Sequence, residues 1–319
     1  MLYPTNHYSA LLSSMVPLSG FVLSPYTAIE WVTLSVSSLG GSIKFYKDVL
    51  GLRHLFDVGD KAVLGTRSGA PLVVLVEKNG ALPKPANRRG LYHFALLMPS
   101  RKDLARMMVR LAEFWEIDGA SDHLVSEAIY LRDPDGHGIE IYADRPRLSW
   151  LLLDGGRVYM ATLPLNIDSL LSELGPEEEK EALSGDWEVP AEARMGHIHL
   201  HVSRLERALK FYHDLVGFDV TLRYGDSALF MSAGGYHHHI GVNTWAGIDA
   251  PPPSPQHVSL ESFAINLHTP EILLSLKRRL EEYGLRVSEG LFNDFKGYEG
   301  FTVEDFDGIR VEFLVSRPD

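Results

Sequence analysis

The chain repeats itself, and that repetition limits its folds more than any other feature. Val36-Ser37-Ser38-Leu39 followed by residues 42–52 recurs as Val202-Ser203-Arg204-Leu205 followed by residues 208–218, at a constant offset of 166 and without a gap. Phe45-Tyr46 and Asp48 thereby match Phe211-Tyr212 and Asp214, and Gly51 matches Gly217. Each copy reads as a strand, an amphipathic helix closed by glycine, and further strands. A second motif, Asp133-Pro134-Asp135-Gly136 leading to Glu140, returns as Asp305-Phe306-Asp307-Gly308 leading to Glu312, offset 172. Four strand–helix–strands units follow, at 28–80, 90–145, 194–247 and 258–316. One helix cannot cover both faces of a small sheet, so units must pair. The spacing groups 28–145 and 194–316 as two domains along the chain. They are joined by a connection, 146–193, with a short helix from Ile167 and a solvated acidic run at Glu177-Glu178-Glu179. Proline-rich 250–255 is a stiff linker, and 1–27 reads as an N-terminal arm packed on a neighbour.

The second unit carries the most chemistry. Residues 90–97 are apolar and strand-like and hold one imidazole, His93. The spacing of Leu104, Met107, Met108 and Leu111 predicts a helix over 101–114. A closing strand buries Glu140 between Ile139 and Ile141, which is costly unless something positive meets the carboxylate. With no cysteine in 319 residues, disulfides and thiolate metal sites are excluded. Histidine, aspartate and glutamate remain as strong metal ligands, and there are 14 histidines. A net charge of −12 with no basic cluster argues against a nucleic-acid partner. No apolar run approaches the ~20 residues of a membrane span. No basic residue precedes the apolar part of 1–27, as a signal peptide would require. A soluble cytoplasmic protein is expected.

The motifs His-x-x-Leu-x-Val at 197–202, Phe-Tyr-x-Asp-x-x-Gly at 45–51 and 211–217, and Asp-Pro-Asp-Gly-x-x-Ile-Glu at 133–140 resemble the vicinal oxygen chelate superfamily (glyoxalase/bleomycin resistance/dioxygenase). Stretches 123–136 and 234–247, with the four-unit length, resemble bacterial catechol 2,3-dioxygenases of the extradiol class. The resemblance implies an α+β fold of four βαβββ modules forming two cupped mixed sheets. It also implies a mononuclear non-haem Fe(2+) site, with Mn(2+) accepted by the same ligands. The expected reaction is meta-cleavage of catechol, or a substituted catechol, by dioxygen to a 2-hydroxymuconate semialdehyde. Partners would be a small aromatic diol and dioxygen, in a homo-oligomer, dimer or tetramer.

The superfamily places ligands on the first and last strands of each unit. Those positions hold Trp31 in unit one, His93 and Glu140 in unit two, His197 in unit three, and Ser262 and Glu312 in unit four. Only pairing two with three completes two histidines and a carboxylate: His93, Glu140 and His197. The pairing of one with four keeps Glu312 alone and is expected to be structural. His199 shares a face with His197 and is the alternative ligand if the register is shifted. His237, His238 and His239 read as part of the last strand of unit three, where alternation puts His237 and His239 on one face; the resemblance assigns acid–base and substrate-oxygen roles to His239, His123 and Tyr130. His199, His237 and Trp245 are further candidates for substrate binding. Two other readings remain: a metal-dependent isomerase of glyoxalase or epimerase type, which would need a second carboxylate base, and a metal-free ligand-sequestering protein.

Overall fold

The computed structural model describes residues 21–153, 157–293 and 295–317. Most of the expected arm, 1–20, lies outside the described residues. Unit one supplies β1 (Ala28–Val36), β2 (Arg53–Val58), β3 (Lys61–Gly65) and β4 (Pro71–Glu77). Unit two supplies β5 (Gly90–Met98), β6 (Gly119–Asp122), β7 (Ser126–Arg132) and β8 (Gly138–Asp144). The connection adds the two-residue β9 (Leu163–Pro164). Unit three supplies β10 (Arg194–His201), β11 (Asp219–Tyr224), β12 (Ala228–Ser232) and β13 (Ile240–Asn243). Unit four supplies β14 (Leu260–Asn266), β15 (Val287–Glu289), β16 (Tyr298–Glu304) and β17 (Arg310–Ser316).

These strands form two mixed sheets, an α+β architecture. One has the order β11-β12-β13-β10-β5-β8-β7-β6-β9 and the other β15-β16-β17-β14-β1-β4-β3-β2. Neither sheet is a contiguous half of the chain. The first joins units two and three through antiparallel β5 and β10; the second joins units one and four through antiparallel β1 and β14.

The helices pack on the sheets. The helix Arg101–Phe114 is capped by Ser100, whose hydroxyl accepts from the Asp103 amide, and it buries Leu104, Met107, Met108 and Leu111. Its Arg110 is also buried and donates to the carbonyls of Val49, Ala182 and Ser184, which ties unit one to the connection. Both Phe-Tyr-x-Asp motifs sit on π turns, Phe45–Val49 and Leu209–Leu215. No helix among the described residues is long and apolar enough to cross a membrane.

The two motifs that repeat in the sequence meet in space. The Tyr46 hydroxyl donates to Asp133 Oδ2 at 2.9 Å, and the Ser37 amide donates to Asp135 Oδ2 at 2.9 Å. Tyr212 does the same to Asp305 at 2.9 Å, and the Ser203 amide to Asp307 at 2.7 Å. Unit one is thus latched to unit two, and unit three to unit four. Each unit therefore has one partner in its sheet and another across the latch. Tyr46→Phe and Tyr212→Phe should each lower the unfolding free energy by about 1–2 kcal/mol, since each strips a buried carboxylate of a donor. The pair share no contact and should be additive in urea unfolding; a strongly sub-additive double mutant would mean the latches are not independent.

Candidate metal centre

Ala95 is the floor of the site. On β5 it lies beside Glu140 of β8 on one flank and beside His197 of β10 on the other. Its methyl leaves room above it, so the carboxylate and the imidazole meet: His197 Nε2 stands 3.2 Å from Glu140 Oε2. His93, two residues before Ala95 and so on the same face, brings its Nε2 to 3.1 Å from the same oxygen. One ligand atom from each of His93, Glu140 and His197 lies within 4.8 Å of the others, and all three residues are buried.

The charge state suits a divalent cation. Burial pushes the Glu140 carboxyl up, but His197 and His93 outweigh it and hold the group well below the ordinary carboxylate range. Burial pushes His197 down to about 4, against the pull of Glu140, so it is neutral at pH 7. His93 Nε2 is buried yet makes no hydrogen bond, despite its approach to Glu140. An unengaged nitrogen, a neutral imidazole and one carboxylate are a donor set that iron(II) or manganese(II) accepts.

The group opens into a cavity of about 330 Å³, lined by Tyr92, His123, Tyr130, Met160, Phe230 and Trp245 among others. Tyr130 faces Glu140 across β7 and β8. The Ala161 carbonyl accepts from His123 Nδ1 at 2.7 Å. His123 Nε2 is therefore the acceptor for the Tyr130 hydroxyl, also at 2.7 Å. Burial, and then Glu140, raise the Tyr130 pKa well above its ordinary value, so the phenol stays protonated.

His199 also lines the cavity, but it is not in the His93–Glu140–His197 group. Its Nε2 accepts from Asn243 Nδ2 at 2.9 Å, which commits that lone pair. Gly241 makes room for the ring, because a Cβ there would lie 2.9 Å from His199 Cγ. Trp245 is half-exposed at the mouth of the cavity, and its backbone amide donates to Asn243 Oδ1.

The expected placement of His239 needs correcting. His237–His239 precede β13 rather than lying in it, so strand alternation does not govern them. His237 and His238 face the cavity, whereas His239 lines a separate pocket with Arg147, Arg194 and Tyr236. The His239 Nδ1 accepts from the Ala233 amide at 3.2 Å. It is the His238 ring that packs on His197, with centroids 4.0 Å apart. Sequence reading also missed Tyr92, Phe230 and the connection residues Met160–Thr162, all of which line the cavity. None of these carries a spacing signal.

The other sheet has the same frame with a different filling. Ala264 lies beside Glu312 as Ala95 lies beside Glu140. Where unit two has His93, unit four has Ser262, whose hydroxyl donates to Glu312 Oε1 at 2.7 Å. Trp31 Nε1 donates to the same oxygen at 3.3 Å, and the Asn293 amide donates to Oε2 at 3.1 Å. Neutral donors complete this carboxylate, and Glu312 belongs to no metal-ligand cluster among the described residues.

Residues 28–141 and 194–313 match the model of the Glyoxalase/Bleomycin resistance protein/Dioxygenase superfamily, and the chain belongs to that superfamily. Within it, the chain is 43% identical over 265 residues to the Catechol-2,3-dioxygenase of Bacillus subtilis (strain 168), covering 82% of this chain and 90% of that one. Among solved structures, a putative dioxygenase from Bacillus subtilis subsp. subtilis str. 168 superposes with a TM-score of 0.61 at 16% identity, covering 91% of this chain and 86% of that chain. Glyoxalase I from Zea mays superposes with a TM-score of 0.52 at 16% identity, covering 91% and 92%. At such identities the structural likeness speaks to the fold alone.

The histidine cluster gives the metal-free protein a pH signature. Burial is the first cause that pushes His197 and His201 down to about 4 and His239 to about 3, and it holds His199 and His238 well below their ordinary value. In the unfolded chain these groups titrate near ~6.5. Below that pH the unfolded state takes up protons that the folded state refuses. Stability is thus full above pH ~6.5 and falls as pH drops, by up to about 1.4 kcal/mol per pH unit for each histidine. Urea unfolding at pH 7, 6 and 5 should show a steep decline; a flat series would contradict these protonation states.

Proposed function

We propose that this chain is an extradiol dioxygenase that opens the ring of catechol, or of a substituted catechol, beside one hydroxyl. His93, Glu140 and His197 would hold a mononuclear non-haem iron(II), and manganese(II) fits the same donors. Bound there, the metal would supply chelation of the two catechol oxygens and the redox exchange between ring and dioxygen. The observation that carries the reading is a buried group of two histidines and one carboxylate at the end of an aromatic-lined cavity. The 43% identity to a protein named Catechol-2,3-dioxygenase supports the same choice.

The protein's own groups have distinct tasks. Tyr130 gives its hydrogen to His123, so its oxygen lone pairs remain free to accept a catechol O–H. His238 offers a second imidazole on the opposite wall, kept neutral by burial and by the surrounding histidines. Tyr92, Phe230 and Trp245 supply flat apolar faces for the ring. An isomerase of glyoxalase type would need a second carboxylate base. Glu140 is the only carboxylate among the described residues that line the cavity. A ligand-sequestering cup would have no use for Glu140 buried between two imidazoles.

Protein loaded with iron(II) without air, then given catechol and oxygen, should form a yellow ring-opened product, and a chelator should abolish it. Fully iron-loaded protein that cleaves neither catechol nor larger catechols would overturn the assignment. Ala95→Leu should place a side chain between the ligands and prevent iron retention, read by metal analysis, while costing about 1–3 kcal/mol of stability. His238→Gln should retain iron but lower kcat by about 10²–10⁴-fold.

A further inference from the structure

One chain of hydrogen bonds leaves the cavity through its wall. Asp144 ends β8, four residues past Glu140. Its Oδ1 lies 3.0 Å from His237 Nε2 and also accepts from the Tyr236 hydroxyl at 3.1 Å. His237 Nδ1 lies 2.8 Å from His238 Nδ1. The His238 ring stands in the cavity against His197. His237 and His238 are buried, while about a quarter of the Asp144 side chain (26%) is exposed.

The donors along this chain can be assigned in order. A carboxylate oxygen only accepts, so His237 Nε2 carries the hydrogen. With that one N–H on the His237 ring, its Nδ1 accepts. His238 Nδ1 must then donate, which leaves His238 Nε2 with a bare lone pair. No hydrogen bond among the described residues engages that nitrogen.

We propose that Asp144 and His237 are positioning residues that lock His238 in its Nδ1–H tautomer, so that it presents an unprotonated Nε2 to the substrate. The inference rests on the ring-cleavage reading above. Its chemical sense lies in counting acceptors. A catechol brings two hydroxyl hydrogens, and the cavity must offer two places for them. The Tyr130 oxygen is one and His238 Nε2 is the other. In the opposite tautomer His238 would present an N–H, which a catechol hydroxyl hydrogen cannot use.

The test combines a readout of tautomers with kinetics. Nitrogen-15 NMR of metal-free protein labelled at histidine should show His238 as the Nδ1–H form. In Asp144→Leu, which has nearly the shape of aspartate but cannot accept, the His238 signals should shift toward the Nε2–H form. With iron restored, kcat for catechol should fall about 10–100-fold while KM stays within about twofold, the scale typical of losing an orienting partner. His237→Phe should do the same, and the double mutant should be no worse than the weaker single, because both break one chain. Two results would overturn the proposal: a wild-type His238 in the Nε2–H form, or an Asp144→Leu enzyme with unchanged tautomer and kcat. Should Asp144→Leu fail to fold, His237→Phe carries the test alone. If the NMR holds but iron-loaded wild type cleaves no catechol, the ring-cleavage reading falls and the tautomer lock stands.

Discussion

Antiparallel pairing of β5 with β10 is the contact on which the site depends. It brings His197, from the second half of the chain, within 3.2 Å of Glu140, from the first. The geometry is set by a backbone ladder and not by side-chain flexibility. β5 is central, with β8 parallel on one side and β10 antiparallel on the other. Three adjacent strands then place residues of one face within reach of each other, and the pleat makes Ala95 and His93 share that face. A slip of one residue along this ladder would turn His197 away from the cup and replace it with an apolar neighbour. Met195, Ile198 and Leu200 are buried in the main core, so the hydrophobic pattern of β10 resists such a slip.

The two sheets show what a buried carboxylate requires. Both frames hold a glutamate beside an alanine on the central strand, and burial acts on both. At Glu312 the cost is offset by an indole N–H, a serine hydroxyl and the Asn293 amides. Burial still raises its pKa, because these donors are neutral. At Glu140 two imidazoles stand where the tryptophan and serine stand, and the carboxylate is held ionised instead. Hydroxyl and indole donors close a cup; two imidazoles around a carboxylate are groups that can also take a cation. Exchanging two residue types on a repeated backbone plan thus separates a carboxylate satisfied by neutral donors from one that sits in a group able to hold a cation.

Much of this was legible in the sequence because it rests on periodicity. The offset of 166 located the units, the spacing of Leu104, Met107, Met108 and Leu111 located the helix, and Glu140 between isoleucines announced a buried charge. Legibility ends where regular structure ends. His237, His238 and His239 looked like a strand with alternating faces, but Gly234 and Gly235 turn the chain with positive φ of 63° and 67°, and the strand begins only at Ile240. That His237 and His238 face the cavity and His239 does not then follows from loop packing on Tyr236 and Phe230, not from parity. The connection was similarly opaque. Met160–Thr162 read as linker, yet they form part of the cavity wall because β9 adds to the edge of the sheet of units two and three, beside β6.

The latches explain how a nested sheet arrangement can arise from two contiguous repeats. Within each half, the tyrosine of one unit is bonded to the aspartate turn of the next, so each half is tied together locally, over 87 and 93 residues of chain. The sheets close only when the halves meet, with β1 finding β14 and β5 finding β10. His93 and Glu140 belong to one half and His197 to the other, so neither half alone holds all three side chains of the group. Completion of the His93–Glu140–His197 group is therefore coupled to the longest-range step of the fold. A cation bound by all three side chains would stabilise the same interface that creates its site, and folding and cation binding would then reinforce each other across one seam.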